Sequence, residues 1–213
     1  MTKYLETLDA QIATENTYMA LINSAIPFLQ LLNTVESNKE ALLAADLKVI
    51  VQKNLDALIK IKADLLAGTH PVSELLTEYS NLNLHTDTEV KASENKWLGM
   101  FTTEYSKSVN LTNAFISLVG KYLPLLTTMA NNGSISAAQQ VNLISNTYSP
   151  ALTKQKTELD KIATEWNDPT IQKVDTLQHY LDLRDGNIAG VSALYTQQQY
   201  DNVSDLWQSI TGV

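Results

Sequence analysis

The 213-residue chain has no cysteine and a single arginine, Arg184, among its 15 basic residues. Without thiols there is no disulfide, thiolate zinc site, iron–sulfur cluster or cysteine nucleophile. With one guanidinium fork, bidentate capture of phosphates or carboxylates is disfavoured. Glycine and proline are scarce, at seven and five, which argues against barrels, sandwiches and collagen-like or disordered chains. The formal charge of −8 excludes nucleic acid as an expected partner, because phosphates are held by clustered Lys and Arg. Long apolar runs are missing too. The nearest approach, Ala114 to Met129, is broken by Lys121, Thr127 and Thr128. The first twenty residues carry Lys3, Glu6, Asp9 and Glu15 and no apolar core, so no signal peptide is read there. A composition poor in Arg and rich in Lys, Asn, Thr and Gln points to an extracytoplasmic or cell-surface bacterial protein.

What is present is helical periodicity. Leu43, Leu47, Ile50, Asn54, Leu58, Ile61 and Leu65 recur in steps of three and four, as do Val141, Ile144, Tyr148, Leu152, Gln155, Leu159, Ile162 and Trp166. No segment alternates with period two. The fold class is therefore all-α, with helices expected over 2–35, 38–67, 71–83, 87–130, 135–167, 169–185 and 188–210. Capping-box spacing marks starts at Ser37/Glu40 and Thr86/Glu89. Asp168-Pro169 reads as an N-cap with Pro in the first turn, and Gly68 and Gly186 as C-caps. Pro27, Pro124 and Pro150 fall inside helices and are expected to kink or split them.

Sliding the chain by 94 residues lays 18–65 over 112–159 with 14 identities in 48 positions. This predicts an internal duplication: a bundle of long antiparallel helices built from two repeats of about 94–99 residues. The expected division is 1–96 and 97–213, as two units in tandem or as one bundle merged through a continuous helix near 87–130.

Candidate chemistry is thin. His70, His85 and His179 lack metal-motif partners on their own helical faces, so no metal site is expected. His85-Thr86-Asp87-Thr88-Glu89 is the densest ligand-like string, and it coincides with a helix start. No nucleophile elbow or Gly-rich phosphate loop exists, so no catalytic residue and no cofactor are assigned. Trp97-Leu98-Gly99 matches the Trp-x-Gly turn of small type VII secretion substrates, but capping signals place it inside a helix, and that family is not carried over.

Two readings remain for the apolar features. Ala25-Ile-Pro-Phe-Leu-Gln-Leu-Leu and the run 114–126 are the most apolar stretches, each containing Pro. Phe28, Leu32, Phe115 and Tyr122 in them are candidate lining for an apolar ligand, or otherwise central core. Trp97, Phe101 and Tyr105 form a stripe at steps of four, a candidate interface or again core. The expected function is a non-enzymatic interaction or scaffold module, binding another protein or a cell-surface component. The alternative is an apolar-ligand-binding or membrane-active protein resembling helical pore formers.

Overall fold

Ala, Leu, Lys, Glu and Gln fill the long runs, and their low helix-forming cost lets helix dominate. In the computed structural model, which describes residues 2–213, 84% of the chain is helical and no strand occurs among the described residues. The helices are α1 (Thr2–Leu32), α2 (Val35–Ala67), α3 (Val72–Ser80), α4 (Asp87–Asn131), α5 (Ile135–Leu143), α6 (Ser149–Asn167), α7 (Lys173–Asp185) and α8 (Gln197–Thr211). A π-helical stretch, Ile144–Tyr148, runs from α5 into α6 without a break.

Several starts differ from the sequence expectation. α2 begins earlier than Ser37, with Thr34 as its cap. The Thr34 hydroxyl accepts from the Ser37 N–H at 3.0 Å, and the Ser37 hydroxyl accepts from the Thr34 N–H at 2.9 Å. Glu40 pairs instead with Lys96 at 2.6 Å. Asp168 turns its carboxylate onto the N–H and hydroxyl of Thr170, at 2.8 and 2.7 Å, so α7 starts only at Lys173. The last helix starts at Gln197, capped by Thr196 and Gln199, and 188–196 carry no helix. The Thr86/Glu89 box is present as read, with the Thr86 N–H donating to the Glu89 carboxylate at 2.8 Å.

Proline acts in two ways. α1 runs through Pro27 and α4 through Pro124 without being split. Ahead of Pro150 the chain opens into the π-turn, and the Ser149 N–H reaches back to the carbonyl of Ile144. A π-turn widens the ring of backbone bonds just where proline would remove one and crowd the preceding turn.

The chain divides into two compact units, Met1–Phe101 and Thr102–Val213, with the boundary inside α4. In the first, α1 packs along α2, and Leu8, Leu58, Ile61, Leu65 and Leu75 form one apolar cluster. In the second, Phe115, Tyr122, Leu126, Ile144, Leu152 and Trp207 are central to the core.

Candidate functional site

In the first unit, α3 has nine residues and one buried side chain, Leu75. So short a helix covers only part of the α1–α2 face, and an apolar cleft of about 140 Å³ is left beside it. Its floor is Leu8, Ile61, Leu65 and Leu75, none more than 5% exposed; its rim includes Tyr4, Val72 and Leu76, at 39–45%. Thr7 also lines it, but its hydroxyl is spent on the Lys3 carbonyl at 3.0 Å. Such a concavity takes apolar groups, because they alone gain by displacing water from it.

Two histidines, His85 in the α3–α4 connection and His179 on α7, meet carboxylates of α1 and α6. Glu15 on α1 is fully buried and accepts from the His85 main-chain N–H at 2.8 Å. Its two oxygens lie 3.2 and 3.1 Å from His85 Nδ1. Gln11 donates to the His85 carbonyl at 2.7 Å, and Tyr18 meets the imidazole edge-on at 4.8 Å. This network pins the α3–α4 connection onto α1, and a buried carboxylate requires such partners.

His179 on α7 lies between two glutamates of α6. Its Nδ1 is 2.9 Å from Glu165, and its Nε2 is 3.2 Å from Glu158. Glu158 also accepts from Lys161 at 2.6 Å. Lys161 first, and then His179, hold the Glu158 carboxyl below its ordinary value against the opposing effect of desolvation. Among the described residues, no group of three or more His, Cys, Asp or Glu is arranged to hold a metal ion.

Of the seven residues singled out from sequence, six are buried and Tyr105 is half-buried. Phe28, Leu32, Trp97 and Phe101 are buried in the first unit, and Phe115 and Tyr122 in the second. Phe115 packs against Tyr195 at 4.8 Å and Tyr148 at 5.6 Å. Tyr122 lies 5.8 Å from the Trp207 ring and donates its hydroxyl to the main-chain oxygen of Val213 at 2.9 Å. Tyr105 is half-buried, and its hydroxyl donates to the Leu159 carbonyl at 2.8 Å. None of the seven lines the α3 cleft.

Sequence reasoning missed that cleft and both histidine–carboxylate pairs. The pairs join residues 70 and 14 positions apart, Glu15 on α1 with His85 in the α3–α4 connection and Glu165 on α6 with His179 on α7. The cleft did have a signal: residues 71–83 are too short to cover the face of a helix as long as 38–67.

Compared with protein-family models, curated protein sequences and solved structures, the chain matches none. Among the described residues, no helix is long and apolar enough to cross a membrane.

Proposed function

We propose that this chain is an internally duplicated, non-enzymatic interaction module: two units of four antiparallel helical segments that bind another protein through the outer face of α2. The observation that carries the docking face is exposure. Val35, Leu42, Leu43, Val49 and Ile50 all stand out from α2 into solvent, Leu42 at 71% and Val49 at 54%. They fall at steps of seven and eight on one side of the helix, with exposed Lys39 and Asp46 between them. Apolar residues grouped on one side of a surface helix mark an interaction site more often than scattered single residues do.

Support for the duplication comes from matched positions. Tyr18, Ile22, Pro27 and Leu29 correspond to Phe115, Val119, Pro124 and Leu126, each 97 residues on. The caps Thr34 and Ser134 correspond at 100. Beyond the π-turn the spacing is 101: buried Val51, Asn54, Leu58 and Ile61 correspond to buried Leu152, Gln155, Leu159 and Ile162. The capping boxes Thr86/Glu89 and Thr196/Gln199, and the buried Trp97 and Trp207, correspond at 110. α2 has 33 residues, and α5, the π-turn and α6 have nine, five and nineteen in a row. On this reading the π-turn is a one-residue insertion absorbed without disturbing the buried faces on either side. The ungapped shift of 94 lies seven residues from 101 in the later half of the matched helix. Seven residues are nearly two turns, so apolar residues meet apolar residues there without being equivalent.

The matching sets Leu42 apart. Where α2 has Leu42 the second unit has Asn142, whereas Val35 and Leu43 correspond to Ile135 and Leu143, which are exposed as well, so the unit's own packing does not require an apolar residue at 42. Location outside the cytoplasm is part of the proposal, and it rests on composition.

A photo-crosslinking residue at position 42, compared with one at 142, tests the module. Crosslinks to a partner protein from 42 and not from 142, abolished by Val49→Asp, are the expected result. Equal crosslinking from both positions, or persistence in the Val49→Asp protein, would overturn the docking face.

A further inference from the structure

We infer that the apolar cleft beside α3 is a binding site for a small uncharged aromatic molecule, of a size between benzene and indole. The cleft is separate from the α2 stripe, and the identification of its ligand draws on the correspondence between the two units.

Volume sets the size. About 140 Å³ is available, and an apolar cavity of ~150 Å³ lined by Leu, Ile and Phe stays dry and accepts benzene. The buried floor of Leu8, Ile61, Leu65 and Leu75 offers no polar side-chain atom. A ligand entering it must therefore be apolar at its inner end.

The surrounding charges set the ligand's neutrality. Lys60 pairs with Asp64 at 3.0 Å and lies 3.7 Å from Glu78, and Lys62 pairs with Asp9. Two ammonium groups thus meet three carboxylates on α1, α2 and α3, so each lysine is paired and the surroundings keep one net negative charge. An ionic ligand would have to break such pairs; a neutral one leaves them intact.

The second unit indicates the chemistry. At the positions matching Leu8, Leu65 and Val72 it carries Tyr105, Trp166 and Lys173. The Lys173 ammonium sits 4.9 Å over the Trp166 ring. At these positions the second unit thus carries an indole and a phenol where the first has two leucines.

The test is methyl-resolved NMR of the full chain, titrated with indole, benzene and, as an ionic control, benzoate. Expected are saturable shifts at Leu8, Ile61, Leu65 and Leu75, none at Ile144 or Leu152, and benzoate at least tenfold weaker. Leu65→Trp, which installs the second unit's indole, should weaken indole binding at least tenfold and raise Tm. Val72→Lys, at an exposed rim position, keeps the test alive if Leu65→Trp does not fold, and it too should weaken binding. Non-saturating shifts, shifts spread over both units, or undiminished binding by both variants would overturn the site. Loss of indole binding alone would leave the position-42 crosslink unchanged, so failure of the cleft and failure of the docking face are told apart on the same protein.

Discussion

Gln155 donates its side-chain amide to the main-chain carbonyl of Ala193 at 2.6 Å, inside the second unit. Asn54 does the same to the carbonyl of Asn83 at 2.8 Å in the first. In each unit one buried amide on the long second helix ties down the irregular segment that precedes the last helical part. A carbonyl in such a segment has no helix ladder to satisfy it, so the amide is the partner that allows the loop to pack.

Removing the two amides should have unequal costs. Asn54→Leu leaves the Asn83 carbonyl unpaired and should cost about 1–3 kcal/mol. Gln155→Met also removes Gln155 Oε1, which is buried without a hydrogen-bond partner among the described residues. Its loss should therefore be smaller. Urea unfolding, read through signals of each unit, measures both.

The π-turn gives a sharper test of the duplication. Ala44 and Val51 are buried seven residues apart, whereas Ile144 and Leu152 are buried eight apart. Deleting exposed Asn146, with Pro150→Ala to let the helix close, should leave the second unit folded and its Tm within a few degrees. Deleting exposed Lys156 should unfold that unit, because every buried position beyond it rotates by about 100°. Circular dichroism melts of the two deletions decide it. Equal damage from both would count against an inserted residue.

Acid should loosen the α6–α7 contact. The Glu158 carboxyl is held below its ordinary value, so its pKa falls on folding. Its contribution is complete above the unfolded carboxyl value of about 4.3 and is lost as pH falls through the lower folded value. Glu158→Gln should flatten this acid limb while lowering stability at pH 7. Thermal melts between pH 7 and 2, followed at Tyr180 or Trp166, are the measurement.

Gly186 should be the least replaceable glycine at a helix end. It caps α7 with φ +78°, and a Cβ there would lie 3.1 Å from the Ala193 nitrogen. Gly68 caps α2 at φ +64° in open space. Gly68→Ala pays only the left-handed backbone cost, about 1–2 kcal/mol. Gly186→Ala adds the clash and should cost measurably more in the same unfolding assay.

Helix content and most helix limits were legible because they depend on local terms. The Thr86/Glu89 box, Gly68 and Gly186 act within a turn of their own helix ends. The misplaced starts had competing local solutions. Thr34 and Ser37 both carry hydroxyls suited to a cap, and Asp168 could cap a helix or close a turn on Thr170. The two most apolar stretches likewise marked Phe28, Phe115 and Tyr122 without telling a filled core from a lined cavity.

By itself the sequence determined that this protein is helical, acidic and thiol-free, since propensity, capping and composition are summed along the chain. Only the tertiary structure decided that Glu15 meets His85, that His179 lies between Glu158 and Glu165, and that α3 leaves a cleft uncovered. Those outcomes depend on which helix faces meet and on how completely a short helix spans a long one. Residues 14 to 70 positions apart are brought together by packing that no local pattern encodes.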